Sequence, residues 1–125
     1  MNNDQTILIV DDDERNIVAL SAVLKIKGYC VLDAVSGQGG IDKLWDRANI
    51  DMVLMDIMMP EMDGYETIKR IRLDHIRHDI PIIAITAKNQ EADMLKCLEV
   101  GATDYCPKPI EINQLINKIE THLVR

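Results

Sequence analysis

The sequence predicts an α/β domain built on a doubly wound, five-stranded parallel sheet. Short apolar segments of strand length alternate with segments of helical periodicity, which is the pattern of repeated βα units. The strand segments are also apolar throughout, as expected where helices cover both faces of a parallel sheet. The 125 residues, 47% of them hydrophobic, suffice for one compact core but not for two ordinary domains. We therefore predict a single domain spanning residues 1–125.

The apolar segments give the predicted strands in chain order. Residues 7–10, 30–34, 52–55 and 82–85 have the length and composition of buried strands. Residues 104–106 form a fifth, shorter strand that is the least clearly apolar. The longest apolar runs are of strand length rather than membrane-spanning length, and the amino terminus is polar, so we expect neither membrane insertion nor a secretory leader.

Five helices are predicted from apolar residues that recur at helical spacing. The first ends at Gly28, which suits a left-handed stop, the third begins after Gly64, and the fourth ends at Gly101. The residues that mark the five faces are Ile17, Leu20, Ser21 and Leu24; Ile41, Leu44 and Trp45; Ile68, Ile71 and Arg72; Leu95 and Leu98; and Ile112, Leu115, Ile116, Ile119 and Leu123.

Composition narrows the possible classes of function. The cysteines Cys30, Cys97 and Cys106 are odd in number and lack a Cys-x-x-Cys spacing. This argues against a disulfide framework or a zinc site and favours a cytoplasmic location. With 21 acidic and 14 basic residues the formal net charge is -7, which repels a phosphate backbone, so we predict no direct binding of nucleic acid.

Polar side chains follow four of the predicted strands. Asp11 and Asp12 come after the first strand, Asp56 after the third, Thr86 after the fourth and Lys108 after the fifth. In open parallel sheets, ligands bind beyond the carboxyl ends of the strands, where the strand order reverses. We expect these side chains to meet at that edge of the sheet.

The acidic residues of this edge indicate a bound cation. If the carboxylates of Asp12 and Asp56 lie roughly 4 Å apart, they repel by about 4 kcal/mol at an effective dielectric constant near 20. The pair must keep a proton or recruit a cation, and we favour the cation, because carboxylate and carbonyl oxygens suit a hard ion such as Mg²⁺. The next residue, Asp13, is explained equally well as the N-cap of the first helix.

A carboxylate held beside Mg²⁺ can attack a phosphoryl group and form an aspartyl phosphate. Lys108 and the Thr86 hydroxyl can each donate a hydrogen bond to a phosphoryl oxygen. Either residue alone is an ordinary strand-end residue. Together with Asp12 and Asp56 they favour phosphoryl chemistry.

Four segments, in this order and spacing, resemble the receiver domains of response regulators: IVDD at residues 9–12, MDIMMPEMDG at 55–64, TA at 86–87 and KP at 108–109. The resemblance covers nearly the whole chain. It implies a flavodoxin-like strand order of 2-1-3-4-5 with a (βα)5 arrangement. It also implies a phosphodonor that is a histidine kinase or a phosphotransfer protein, and signalling to a downstream protein through the fourth helix, last strand and fifth helix.

Carried onto this sequence, the resemblance implies that Asp56 is the phosphoacceptor. It implies a Mg²⁺ site formed by Asp12, Asp56 and the backbone carbonyl of Met58, with Asp11 shaping the site directly or through water. Lys108 would contact the phosphoryl group.

The resemblance also implies a switch. Thr86 would move toward the phosphoryl group while the aromatic residue of the last strand, here Tyr105, turns inward. Without that role, Tyr105 is a partly exposed strand residue that anchors packing. The population shift can be partial, since a change from 1:99 to 99:1 needs about 5.5 kcal/mol.

Residues beside the site are predicted to adjust its chemistry. The resemblance implies that Met58 and Lys88 flank the site at positions that influence how fast the phosphoryl group is hydrolysed. Met58 cannot orient an attacking water by hydrogen bonding, so we expect a long phosphoryl lifetime. Pro107 departs from the commoner small or apolar residue, and the bond between Lys108 and Pro109 is expected to be cis, as the resemblance implies.

Several alternatives stay open or are disfavoured. A flavin or nucleotide carrier needs a hydroxyl- and glycine-rich loop after the first strand, where this chain is acidic, and an aspartate-based phosphatase needs a following Thr and a cap insertion. A receiver-like module that is never phosphorylated generally lacks a counterpart of Asp56, Thr86 or Lys108, and this chain has all three.

Met1 favours a stand-alone protein, whereas residues 96–102 resemble receivers excised from hybrid sensor kinases. His75 and His78 could offer two metal ligands, but a solvated loop is the preferred interpretation.

Overall fold

A computed structural model describes residues 5–47, 49–74, 77–88 and 90–123. Within these ranges five strands alternate with five helices. The strands are β1 Thr6–Val10, β2 Cys30–Ala34, β3 Ile50–Asp56, β4 Ile82–Thr86 and β5 Asp104–Pro107. The helices are α1 Glu14–Ile26, α2 Gly37–Asp46, α3 Gly64–Leu73, α4 Glu91–Glu99 and α5 Ile112–His122.

The strands form one parallel sheet in the order β2-β1-β3-β4-β5. The predicted doubly wound α/β class and the strand order 2-1-3-4-5 are therefore confirmed. The order reverses between β1 and β3, because the chain moves outward to β2 first and then crosses back. Crevices at such a reversal are where ligands bind in open α/β sheets.

Two apolar clusters cover the two faces of the sheet, and alternating residues of the central strands supply both. In β1, Ile7 and Ile9 belong to the cluster beneath α1 and α5. Leu8 and Val10 belong to the cluster beneath α2, α3 and α4. Successive side chains on a strand point to opposite faces, so a strand covered on both sides must be apolar at every position. This explains the continuous apolar runs of the sequence.

The first helix is as predicted. Its buried residues are Ile17, Leu20, Ser21 and Leu24. Gly28 follows with a positive φ of 95°, the left-handed conformation that favours glycine. Asp13 is the N-cap of α1, since its carboxylate accepts a hydrogen bond from the backbone N–H of Arg15 at 2.9 Å.

Three predicted helix faces are wrong in part. Trp45 in α2 is 64% exposed, and in α4 both Leu95 and Leu98 are exposed, whereas Leu44 and Cys97 are buried. In α5 the first residue, Ile112, is exposed, and Leu115, Ile116 and Ile119 are buried. Neighbouring residues of an α-helix point about 100° apart. Burial of Leu44 therefore turns Trp45 toward solvent, and burial of Cys97 does the same to Leu98.

The peptide bond between Lys108 and Pro109 is cis, as expected. No helix within the described ranges is long and apolar enough to cross a membrane. His75 lies outside the described residues, so the suggested pair with His78 stays untested.

Candidate functional site

The carboxyl ends of β3 and β4 and the start of the loop after β5 are joined by backbone hydrogen bonds. The N–H of Ile57 donates to the carbonyl of Ile85 at 3.0 Å, and the N–H of Lys108 donates to the carbonyl of Thr86 at 2.9 Å. Asp56 and Thr86 are the last residues of their strands rather than the first residues after them. The sheet itself therefore fixes their backbone positions.

Three carboxylates meet at this edge. One oxygen from each of Asp11, Asp12 and Asp56 lies within 4.8 Å of the other two. Asp11 and Asp56 are buried, at 7% and 3% exposure, whereas Asp12 is exposed. Two carboxylates of the cluster are therefore buried and the third is at the surface, so the site is accessible from solvent.

Both carboxylate oxygens of Asp11 accept hydrogen bonds. Oδ1 accepts a bond from the backbone N–H of Asp13 at 2.8 Å, and Oδ2 accepts one from the side-chain amide of Asn16 at 3.4 Å. The backbone N–H of Asp11 donates to the carbonyl of Ala34 at 3.1 Å. Both the chain and the carboxylate of Asp11 are therefore fixed before any ligand arrives.

Among the residues that the structure describes, Asp56 has one cationic partner. The ammonium of Lys108 lies 3.2 Å from Oδ1 of Asp56, and the backbone N–H of Met58 donates to the same oxygen at 3.4 Å. Burial, together with the nearby charge of Asp11, raises the pKa of Asp56 from 3.8 to about 6, although Lys108 and the Met58 N–H act in the opposite direction. A single ammonium does not balance the negative charge of this cluster.

The donor set fits a hard divalent cation. Three carboxylates and one ammonium carry a formal charge of -2 when all are ionised (three negative, one positive), and every candidate ligand atom is an oxygen. Magnesium prefers such ligands and keeps several waters. Met58 follows two residues after Asp56 with its side chain half exposed, and the ligand role of its carbonyl stays a prediction.

Thr86 and Tyr105 lie on the same side of the sheet. Thr86 is fully buried, and its hydroxyl accepts a hydrogen bond from the backbone N–H of Lys88 at 3.0 Å. Tyr105 pairs with Ala84 across β4 and β5, two residues before Thr86, so both side chains point to one face. The Tyr105 ring is half-buried, with the ammonium of Lys118 5.3 Å from its centroid. Tyr105 is thus a neighbour of Thr86 rather than a part of the acidic cluster.

The roles of two residues at this edge were not predicted from the sequence: Asn16 was not singled out, and Gly64 was named only as a helix boundary and as part of the 55–64 motif. Asn16 is the third helical residue of α1, and side chains at this position reach back past the N-cap. Its place three residues after Asp13 could have indicated the contact with Asp11. Gly64 is the first residue of α3, and a Cβ atom there would lie 2.5 Å from the carbonyl oxygen of Asp56. Its signal was a glycine placed inside a helix start, which often marks a close approach of backbone.

A carboxylate cluster and a lysine at the strand-order reversal of a five-stranded parallel sheet are typical of phosphoacceptor signalling domains. Residues 7–120 match the family model of the response regulator receiver domain. The chain therefore belongs to the response regulator receiver domain family, which is a signalling module rather than an enzyme in the usual sense.

Individual relatives agree with this assignment. Transcriptional regulatory protein CpxR of Escherichia coli is 39% identical over 119 residues, which are 95% of this chain and 49% of CpxR. Response regulator SaeR of Staphylococcus aureus is 38% identical over 121 residues, 96% of this chain and 51% of SaeR. The solved structure of chemotaxis protein CheY4 of Vibrio cholerae matches with a TM-score of 0.90 and 26% identity, covering 97% of this chain and 100% of that one. The chain spans about half the length of the curated relatives it matches.

Proposed function

We propose that this domain accepts a phosphoryl group on Asp56, with Mg²⁺ bound by the acidic cluster, from a histidine kinase or a histidine phosphotransfer protein. The observation that carries the proposal is the buried Asp56 carboxylate, placed within 4.8 Å of two further carboxylates and 3.2 Å from the Lys108 ammonium. A structural ion pair needs only one carboxylate. The two additional carboxylates are explained if they bind a divalent cation next to the phosphoryl group.

The reaction is an in-line displacement at phosphorus. A carboxylate oxygen of Asp56 forms a new P–O bond while the bond from phosphorus to the donor nitrogen or oxygen breaks, and the leaving group keeps the electron pair and takes up a proton where it needs one. Lys108 can move from Asp56 Oδ1 to a phosphoryl oxygen. The acidic cluster would hold Mg²⁺, which when bound would offset part of the negative charge of the reacting groups.

Transmission of the signal is assigned to Thr86 and Tyr105. In the structure the Thr86 hydroxyl accepts from the Lys88 N–H. A phosphoryl oxygen offers this hydroxyl an acceptor, so phosphorylation favours a conformer in which Thr86 turns toward the site. Tyr105 projects to the same face and can fill the space that Thr86 leaves. The phosphoryl group biases this two-state element by bonding differently to its two arrangements.

The proposed partners are proteins in the cytoplasm. The formal net charge of -7 disfavours nucleic acid as a direct partner of this domain. The exposed Asp12 and half-exposed Met58 stand at the mouth of the site. A phosphohistidine side chain can therefore reach Asp56 without opening the fold.

The proposal is tested by incubation with acetyl phosphate, with and without Mg²⁺, followed by intact-mass measurement. We expect the wild-type protein to gain one phosphoryl group only when Mg²⁺ is present and Asp56→Asn to gain none. Asp46→Asn, at the exposed end of α2, serves as the matched control and should behave as wild type. Uptake by Asp56→Asn would move the phosphoacceptor elsewhere, and no uptake by the wild type would favour an unphosphorylated binding module.

Met58→Asn is expected to shorten the phosphoryl lifetime. The half-exposed thioether cannot hold a water in line with phosphorus, whereas an amide can donate to and accept from that water. One added hydrogen bond is worth about 1 kcal/mol, so decay should accelerate about fivefold. The loss of the phosphoryl group is followed by intact mass after the donor is removed. Met58→Leu should decay like the wild type, and an unchanged rate in Met58→Asn would contradict the explanation.

A further inference from the structure

We propose that Asn16 is a positioning residue of the acidic site: its side-chain amide fixes the Asp11 carboxylate in the orientation that faces Asp12 and Asp56. The inference rests on the proposed function, because it takes these carboxylates to be a Mg²⁺ site. It adds a residue of α1 to that site, one that contacts no reacting atom and acts through Asp11 alone.

The contact geometry gives Asn16 a specific role. The Asp13 N–H bonds to Oδ1 of Asp11 at 2.8 Å, and the Asn16 amide reaches Oδ2 at 3.4 Å. Rotation of a carboxylate about its last bond is soft, and a single donor on one oxygen leaves part of that rotation free. A second donor on the other oxygen restricts it. Asn16 thus completes the restraint that the backbone of Asp13 begins.

The restraint opposes a force that the cluster itself creates. Without a cation, one oxygen of the Asp11 carboxylate lies within 4.8 Å of one oxygen from each of Asp12 and Asp56, and like charges this close repel one another. That repulsion favours turning Asp11 away. A side-chain amide opposes the turn with a neutral donor. A lysine or arginine at the same place would also attract Asp11, but its charge would compete with a metal cation.

The local structure explains why residue 16 can do this. Asp13 is the N-cap of α1, which makes Asn16 the third helical residue. Side chains at that position reach back toward the chain before the helix, and here the reach extends to Asp11. Asn16 is exposed, and asparagine is a weak helix former. Its replacement should therefore cost the fold little, which separates a role at the site from a role in stability.

Isothermal titration calorimetry with Mg²⁺ tests the proposal directly. Removal of a group that orients a metal ligand typically weakens binding by about 10- to 100-fold. Because the 3.4 Å bond is long, we expect Asn16→Ala to raise the dissociation constant for Mg²⁺ by about tenfold. Uptake of a phosphoryl group from acetyl phosphate at saturating Mg²⁺ should stay within about twofold of the wild-type rate. Arg15→Ala is the matched control, since Arg15 is the neighbouring exposed residue and pairs with Asp13 instead.

A double-mutant cycle distinguishes action through Asp11 from a general effect on α1. In an Asp11→Ala background, Asn16→Ala should change the dissociation constant less than about twofold, because the group it restrains is gone. Equal Mg²⁺ affinity of Asn16→Ala and Arg15→Ala, in a protein that takes up the phosphoryl group normally, would overturn the role of Asn16 alone. A wild-type protein that neither binds Mg²⁺ nor takes up a phosphoryl group would overturn the proposed function and this inference together.

Discussion

In the absence of Mg²⁺ and near neutral pH, Asp56→Asn should be more stable than the wild-type protein by about 3 kcal/mol. Burial and the charge of Asp11 raise the pKa of Asp56 from 3.8 to about 6, and each pKa unit corresponds to about 1.4 kcal/mol between the two protonation states. The asparagine side chain keeps an acceptor for the N–H of Met58 and lacks the charge. It therefore removes an electrostatic cost that the wild-type carboxylate carries whenever it is ionised.

The same pKa shift predicts the dependence of stability on pH. Between pH 3.8 and about 6 the folded chain holds a proton on Asp56 that the unfolded chain has released. The contribution of Asp56 to the free energy of unfolding should therefore fall as the pH rises through this window and level off above it. This contribution is absent in Asp56→Asn, so the difference between the two proteins should shrink as the pH is lowered from neutral toward 4.

Urea unfolding followed by circular dichroism, in the presence of a chelator and at several pH values, measures both effects. Mg²⁺ should stabilise the wild type by mass action and the variant much less. Asp46→Asn, which removes an exposed carboxylate of α2, should change the free energy of unfolding by less than about 0.5 kcal/mol. A variant Asp56→Asn that is less stable than the wild type without Mg²⁺ would show that Lys108 compensates the buried charge.

The sheet could be predicted because strands that are buried on both faces are continuous apolar runs in the sequence. The strands predicted at residues 30–34 and 82–85 correspond to β2 Cys30–Ala34 and β4 Ile82–Thr86. The candidate site followed from the same reasoning, since the carboxyl ends of parallel strands share an edge. The strand order came from the resemblance rather than from the pattern, because alternating βα units allow more than one order.

Details that depend on packing between elements were harder to predict. In α2 both Leu44 and Trp45 are apolar, and nothing within the helix decides which one faces the sheet. The space beneath α2 accepts Leu44 and leaves the larger Trp45 exposed. The contact between Asn16 and Asp11 similarly depends on where α1 begins to within one residue, and helix boundaries are the least certain part of a sequence-based assignment.

Gly64→Ala is expected to lower the free energy of unfolding by about 3 kcal/mol and to weaken Mg²⁺ binding. A Cβ atom at this position would lie 2.5 Å from the carbonyl oxygen of Asp56 and 2.6 Å from the Cα atom of Ile57. Both are backbone atoms at the end of β3, so no side-chain rotation relieves the clash, and overpacking of this kind typically costs about 1 to 3 kcal/mol, sometimes more. The N–H of Gly64 also donates to the carbonyl of Ile57 at 2.9 Å, which ties α3 to the same segment.

Mg²⁺ binding should weaken in Gly64→Ala because the clash displaces the end of β3, where Asp56 lies. Gly39→Ala is the matched control, since Gly39 stands in the first turn of α2 with its N–H bonded to the hydroxyl of Ser36. The nearest atom to a Cβ there is that hydroxyl at 3.1 Å, and alanine is the better helix former, so this variant should be nearly neutral. Urea unfolding and Mg²⁺ titration of the two variants give the comparison. Equal stabilities would mean that α3 shifts freely away from β3, in which case the glycine does not fix the position of Asp56.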